Sequence, residues 1–413
     1  MYIVLGVIVG LLCLMFLVTA HEFGHFIMAR RNGVEVEEFG ICFPPRAVAW
    51  RKVNGKWKRI PRSQWKRRED GTTEMPGEGT ILSLNWLPIG GFCQMKDEND
   101  ASTAKGSFGR ATFWGKTKIL FGGVAMNWLV AFVLLTILAW TGMPHFLANQ
   151  FQIEGDTQVA QNSEIIVAEV MKDSPAEKVG LEKGDILISL TAGEDKKVLL
   201  NAQDVQTFDK KHAGKEVELC FRRAEKEQCK SVQLNTEKDE LILGVAMEQT
   251  KLPLYRSTWS APIVGAGTTL QITGATFQGL GELLVNLVKG LAMKLNIFSS
   301  ETQKAGQEAL SKAGNSVSGP VGIIGILFPA FVQAGPTNLT FLVALISISL
   351  AVMNVLPIPA LDGGRWLMIA IARLRGKKLE KAREEKIVGR AFVVLIVLIL
   401  VVTMLDVIRL ITR

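Results

Sequence analysis

The clearest chemistry in this chain lies in the run His21-Glu22-Phe23-Gly24-His25. On a helix, positions i and i+4 share a face, so the two imidazoles can hold one divalent cation, and zinc is the usual guest of this spacing. Such a cation lowers the pKa of a bound water to about 7, and the intervening glutamate is placed to take its proton as general base. The chain has only four histidines in 413 residues. Two of them at this spacing around a glutamate fit a metal site better than two interior imidazoles that merely satisfy neighbours. A catalytic zinc takes three protein ligands and keeps one position open. The candidate third ligand is Asp362, in the stretch Met353 to Trp366 (MNVLPIPALDGGRW). There Pro357 and Pro359 must break a helix and free backbone groups. Asp362 is expected on extended backbone, with Gly363 and Gly364 allowing a tight turn after it. Alone, Asp362 reads as a helix cap; beside the histidine pair it reads as a ligand.

These side chains need a scaffold, and its class follows from composition. The sequence is 48% hydrophobic yet 21% charged. It is too apolar for an ordinary soluble protein and too charged to be membrane throughout, which implies a membrane protein with at least one polar domain. A membrane-spanning helix needs about 20 apolar residues. Four stretches qualify: Met1 to about Ala29, about Ile119 to Trp140, about Leu339 to Pro357, and about Ala391 to Leu410. The expected fold is therefore a polytopic α-helical membrane protein with four transmembrane helices. The first stretch lacks a basic leader and a small-residue cleavage site, so it reads as a retained helix. Ala261 to Leu295 is interrupted by glycines and carries Glu282, Lys289 and Lys294; it reads as an amphipathic helix at the membrane surface. His21 precedes Arg30 by nine residues. At 1.5 Å per residue it lies roughly 13 Å below the first cytoplasmic charge, inside the bilayer.

Basic residues set the expected orientation. They crowd the segment after span one (Arg30, Arg31, Arg51, Lys52, Lys56, Lys58, Arg59) and the segment after span three (Arg365, Arg373, Arg375, Lys377, Lys378). Both segments should be cytoplasmic, with Thr141 to Asn338 and both termini outside. The net charge of +8 then reports topology and contact with anionic membrane lipid, and no nucleic-acid partner is expected. The stretch Trp50 to Asp70, rich in Arg, Lys and Trp, reads as an interfacial segment facing lipid headgroups. Cys220 and Cys229 fall outside, on two strands around a short turn near Ala224 and Glu225. They read equally as a cross-strand disulfide or as two free thiols.

Taken together, the two motifs resemble those of the site-2 protease family of intramembrane zinc metalloproteases, and within it the bacterial RseP-type group. His21-Glu22-xx-His25 matches the first motif of that family, and Asn354-xx-Pro357-x-Pro359-x-Leu361-Asp362-Gly363-Gly364 the second. The resemblance implies zinc held by His21, His25 and Asp362, with Glu22 as general base. It implies that Asn354 hydrogen-bonds the oxyanion or the substrate backbone, with Pro357 and Pro359 beside the substrate. Asn127, with Gly123, matches the family's G-x-x-x-N element on span two and is a candidate substrate contact; a helix–helix contact beside small residues is the plainer reading. Where this chain has Gly122-Gly123 the family often has Gly-Pro. The stretch Gly79 to Glu98 is strand-like on both sides of Pro88 and corresponds to a membrane-associated β-hairpin within residues 45–98. A helical substrate hides its scissile amide, so an edge strand at Gly91, Phe92, Cys93, Gln94 and Met95 is expected to pair with the unwound chain.

Ser174 to Leu187, with the pattern S-P-A-x-x-x-G-L-x-x-G-D-I-L, resembles a PDZ domain of the bacterial protease type. One such domain fits residues 158–250, where some relatives have two, and it implies a peptide ligand or a filter against large ectodomains. Residues 254–335 read as a membrane-associated linker, including a family-like element at Ser316 to Gly325. The protease core would comprise residues 1–142 and 336–413. The implied activity is hydrolysis of single-span membrane proteins, such as anti-sigma factors or remnant signal peptides, in the bacterial plasma membrane. A non-catalytic scaffold would have no need of Glu22, and a metal transporter would spread its ligands along a path.

Overall fold

A computed structural model describes residues 2–67, 73–147, 149–161, 164–199, 202–224, 226–236, 242–249, 253–294 and 319–411. Arg68 to Asp70 of the basic stretch, Leu295, and Ser316 to Ser318 lie outside the described residues. The chain divides into two units, one of Met1–Leu135 with Ala266–Arg413 and one of Thr136–Gly265.

In the first unit, helices α1 (Tyr2–Arg31) and α2 (Phe113–Thr141) precede the second unit in sequence. After it come α5 (Ala261–Lys294), which begins at the end of the second unit, α6 (Pro320–Gln333), α7 (Pro336–Val355), α8 (Asp362–Leu374) and α9 (Lys381–Ile411). Among the described residues, α1, α2, α7 and the Lys381–Met404 part of α9 are long and apolar enough to cross a membrane. Helix α1 ends where Gly33 turns left-handed (φ +75) and the Val34 N–H returns to the Ala29 carbonyl at 2.9 Å. Helix α2 starts earlier than its apolar run, because the Thr112 hydroxyl accepts the Gly115 N–H at 3.0 Å and caps it. Gly122 and Gly123 lie inside this helix. Helix α5 runs unbroken through its glycines, so the expected interruption is absent.

The proline break of span three falls where steric rules place it. Helix α7 stops at Val355, and Leu356, the residue before Pro357, is extended (φ −60, ψ 148). Asp362 does not sit on extended backbone as expected; it opens α8. Gly363 and Gly364 are helical and buried, and they make no turn. A Cβ on either would run into the carbonyls of Val355 and Ile358, so glycine lets the proline loop fold down onto the helix start.

Between α1 and α2 lies a sheet of β1 (Val36–Val53), β2 (Lys56–Arg59) and β3 (Glu78–Met95), in the order β2-β1-β3. The two long strands bend so that the first half of β1 lies between two stretches of β3. Val36 to Ile41 pair with Gly91 to Met95 on one side, and Glu38 to Ile41 pair with Ile81 to Leu84 on the other, while Arg46 to Lys52 pair with Glu78 to Asn85. Gly91 to Met95 have no other strand beside them among the described residues. Cys93 and Met95 point into a cluster with Ala29, Phe39 and Phe108, while Phe92 and Gln94 are half-buried, as the two-residue period of a strand requires. The sheet exposes Trp57, Leu84, Trp86 and Leu87.

The second unit is built on a six-stranded sheet. Its elements are β4 (Ile165–Val170), α3 (Pro175–Lys178), β5 (Ile186–Ala192), β6 (Asp195–Val198), α4 (Ala202–Lys211), β7 (Glu216–Arg223), β8 (Lys226–Gln233) and β9 (Val245–Gln249). The order is β8-β7-β5-β4-β9, with β6 added to β5. Ser174 caps α3 by accepting the Glu177 N–H at 3.2 Å, and Gly180 (φ +72) and Gly184 (φ +97) make the two turns that lead into β5. Inward residues of both faces, including Val167, Leu187, Leu219 and Phe221, form the core with Val205 and Phe208 of α4. Cys220 stands opposite Cys229 across the β7–β8 pair, and the two are joined as a disulfide.

Asp156 secures the entry to α5. It accepts the N–H groups of Thr258 (2.9 Å) and Ser260 (3.1 Å) and both of their hydroxyls. These bonds, the Ser260 and Thr258 hydroxyls first, hold its pKa down from an ordinary 3.8 to about 2. A carboxylate depressed in the folded state stabilises the fold above about pH 4, and that contribution is lost as pH falls toward 2. Asp156→Asn should therefore remove stability at neutral pH and flatten the loss between about pH 4 and 2. Thermal melts of both proteins across that range check this; parallel acid limbs would refute it.

Candidate metal centre

The centre is assembled where α1 crosses α2. At Gly24 a side chain would collide with the Gly122 carbonyl, and a Cβ at Gly122 would lie 2.7 Å from the Gly24 carbonyl oxygen. The two backbones thus touch, which only small residues permit. On α1, His21 lies about one turn before this contact and His25 immediately after it, both buried. Their rings lie directly on the α2 backbone: a Cβ at Gly123 would be 2.6 Å from His21 Cε1 and 2.6 Å from His25 Nε2.

Both imidazoles turn their Nε2 atoms to one point. The two Nε2 atoms are 3.1 Å apart. Asp362 Oδ2, at the start of α8, lies 3.1 Å from that of His21 and 3.4 Å from that of His25. Tetrahedral ligation at about 2.0–2.1 Å separates ligand atoms by about 3.3 Å, so these three atoms are spaced to share one cation. Among the described residues this is the one group of three or more His, Cys, Asp or Glu side chains so arranged. Two nitrogens and one carboxylate, with no thiolate, are the donor set of a catalytic zinc and not of a closed structural one.

The surrounding groups orient the donors. The His25 Nδ1–H donates to the Ile119 carbonyl at 2.8 Å, leaving Nε2 bare. His21 Nδ1 is 3.4 Å from the carboxamide of Asn127, which is fully buried. Glu22 is half-buried and close enough to both imidazoles and Asp362 to interact electrostatically with all three. The Asn354 amide donates to the Leu350 carbonyl of its own helix at 3.0 Å. Asn354 stands on α7 and Asp362 on α8, so the proline loop carrying Pro357 and Pro359 separates the two helices. The strand Gly91 to Met95 meets α1 just before the histidines: a Cβ at Gly90 would be 2.8 Å from Val18, and one at Gly91 would be 3.1 Å from the Thr19 hydroxyl.

A charged network beneath the centre had no motif to announce it. Arg365, one turn after Asp362 on α8, donates to Glu384 at 3.0 Å and to the side chain and carbonyl of Glu98. Glu384 accepts the Asp100 N–H at 3.1 Å, and Asp100 pairs with Lys116 of α2 and accepts the Leu379 N–H at 2.9 Å. The ring of the fully buried Phe108 lies 5.6 Å from the Lys116 ammonium and 4.9 Å from the Arg365 guanidinium. This network fixes α8, and with it Asp362, to α2, to α9 and to the end of the edge strand. The sequence marks Arg365 only as one more positive charge.

With this geometry in view, comparison with known proteins is informative. The sequence matches Peptidase family M50 over residues 9–60 and 72–399. The chain belongs to Peptidase family M50, the site-2 protease family of metalloproteases that its motifs resemble. It is 25% identical over 450 residues to the regulator of sigma-W protease RasP of Bacillus subtilis, covering 95% of this chain and 96% of that one. It is 24% identical over 452 residues to the zinc metalloprotease RasP of Bacillus licheniformis, again covering 95% and 96%. A protein of Clostridium acetobutylicum named provisionally as a zinc metalloprotease is 26% identical over 405 residues, covering 98% and 97%. Among solved structures, the PDZ domain of an SdrC-like protein from Listeria monocytogenes aligns with 22% of this chain and 92% of its own, at 19% identity and a TM-score of 0.18.

Four substitutions test the architecture. Gly123→Ala should force both imidazoles off α2 and reduce activity by about 100-fold, the cost of a displacement near 1 Å. Gly281→Ala, where a Cβ meets open space, should leave activity intact; equal effects of the two would refute the contact. Arg365→Met should destabilise the chain by about 3–5 kcal/mol, because Glu384 remains buried and unpaired. Adding Glu384→Gln should recover much of that loss in thermal unfolding of the full chain in detergent.

Proposed function

We propose that this chain is an intramembrane zinc protease that hydrolyses peptide bonds of single-span membrane proteins. One observation carries the reading: His21, His25 and Asp362 bring three donor atoms within 4.8 Å of one another, on a membrane-length helix and beside the end of another. The donor set fits zinc, and the names of the Bacillus licheniformis and Clostridium acetobutylicum relatives agree. A zinc ion held there supplies a Lewis acid and acidifies bound water. The protein residues do the rest. Glu22, on the same helix turn as both imidazoles, takes a proton from the attacking water and delivers it to the leaving amine. Asn354 donates to the oxyanion or the substrate backbone once its amide leaves the Leu350 carbonyl.

A helical substrate must be unwound before its amide is accessible. Among the described residues the strand Gly91-Phe92-Cys93-Gln94-Met95 has a partner on one side only, and it runs past Val18 and Thr19 toward the centre. It is the edge on which an unwound segment would be held as an added strand, with Pro357 and Pro359 lining its path. Exposed Trp57 of the exposed strand Lys56–Arg59, with exposed Trp86 and Leu87 elsewhere in the same sheet, favours lipid, not nucleic acid, as that sheet's neighbour.

The distribution of basic residues supports cytoplasmic faces after α1 and α7, and thus an outside second unit and outside termini. The Cys220–Cys229 disulfide agrees with an oxidising exterior. In this reading the second unit is a single PDZ domain that meets substrate ectodomains or a peptide ligand, and the membrane is the bacterial plasma membrane. One relative's name ties it to control of a sigma factor, in accord with membrane-bound anti-sigma factors as a substrate class; remnant signal peptides are a second.

The test compares wild type with Glu22→Gln on a tagged single-span substrate in membranes. Wild type should release the shortened fragment, a zinc chelator should stop it, and Glu22→Gln should keep bound zinc while losing activity. Undiminished cleavage by Glu22→Gln would defeat the mechanism, and binding without cleavage by both proteins would favour a scaffold.

A further inference from the structure

We propose that Asn127 is the outer partner of His21: its amide oxygen receives the His21 Nδ1 proton and leaves Nε2 bare for the cation. This deepens the zinc-protease reading and rests on it. A neutral imidazole has one proton, so a ring that gives Nε2 to a cation must have Nδ1–H. Nε2 of His21 faces Asp362 Oδ2 at 3.1 Å, so with a cation held between these two atoms the ring proton has to be on the far side. For His25 the matter is closed, because the Ile119 carbonyl, 2.8 Å from Nδ1, can only accept. For His21 the corresponding neighbour is a carboxamide, which can do either.

The structure shows one of the two settings. Asn127 Nδ2 lies 3.4 Å from His21 Nδ1. An N–H donated there requires the imidazole proton on Nε2, on the side of Asp362. A half-turn of the amide exchanges its nearly isosteric oxygen and nitrogen and reverses the bond to Nδ1–H···Oδ1. The turn breaks no hydrogen bond at the other end, since Asn127 Oδ1 is buried without a partner among the described residues. The backbone, by contrast, is held: the Ser347 hydroxyl of α7 donates to the Asn127 carbonyl at 2.8 Å. The amide is thus fixed in place and free in sense, so the His21 proton decides which atom faces it. Because Asn127 has no exposed surface, this role replaces the direct substrate contact expected from its motif.

Zinc affinity of the full chain, purified in detergent and titrated against a competing chelator, tests the idea without reference to turnover. Asn127→Leu keeps the size but neither donates nor accepts, and should weaken zinc binding about 10–100-fold, the usual cost of losing such a partner. Asn127→Asp can only accept and should bind zinc at least as tightly as wild type. Wild-type affinity in Asn127→Leu, or a tenfold or greater loss in Asn127→Asp, would overturn the proposal. Should Asn127→Leu fail to fold, the aspartate variant alone decides. If wild type itself takes up no zinc, the reading of the centre fails, a result distinct from zinc-loaded wild type with an unaffected leucine variant.

Discussion

The structure depends on a contact between two backbones. Where α1 crosses α2, Gly24 meets Gly122 and no side chain intervenes. All the placements that matter for chemistry follow from it. The imidazoles flank the crossing on α1, and the bare backbone at Gly123 is the wall on which they rest. The Ile119 carbonyl, one turn earlier on α2, fixes the His25 ring, and Asn127, one turn later, faces the His21 ring. A single larger side chain at the crossing would separate the helices and break these relations together, because packed interiors do not yield by small continuous shifts.

Much of the fold was legible because it is local. An uncharged run from Met1 to Val18, the histidine spacing, and the prolines after Val355 each announce an element through nearest-neighbour chemistry. The Cys220–Cys229 register was foreseeable from a short turn, and the choice between thiols and disulfide is resolved by the bond between them. What stayed hidden was non-local. Arg365, Glu98 and Glu384 are far apart in sequence, and nothing about an arginine after two glycines says that it will meet two carboxylates. Gly363 and Gly364 suggested a turn, since glycine permits one, but they serve a close approach inside a helix. The same residue type answers two different constraints, and only the fold tells them apart. Asn127 was singled out, but its partner was not, for a motif gives a position without an orientation.

Charge in the interior sorts into two kinds. The Asp100–Lys116 pair and the Arg365–Glu384 pair are largely withdrawn from water, and such pairs seldom add net stability over apolar packing of the same volume. Their value is in register: directional bonds to backbone groups at Gly109 and Leu379 admit one arrangement of α8 against α2 and α9. In the sheet, buried Glu38 is met by Arg46 and by the Ser83 hydroxyl at 2.6 Å. It ties together the two halves of β1 and the stretch of β3 that pairs with both. Asp406 does the same for α6, accepting the Gly322 N–H at 2.9 Å so that this helix start is not left unsatisfied in an apolar setting.

The chain order of the three donor atoms has a consequence for biosynthesis. His21 and His25 leave the ribosome early, whereas Asp362 follows more than three hundred residues later. At translation rates of about 5–20 residues per second, tens of seconds separate them. Throughout that interval the histidines are in place but their carboxylate partner does not exist, and the arginine that anchors α8 has not been made. The nascent chain therefore passes through its own membrane insertion, among many other helices, without an assembled centre. The hydrolytic device closes only when nearly all of the scaffold that restrains it is already present.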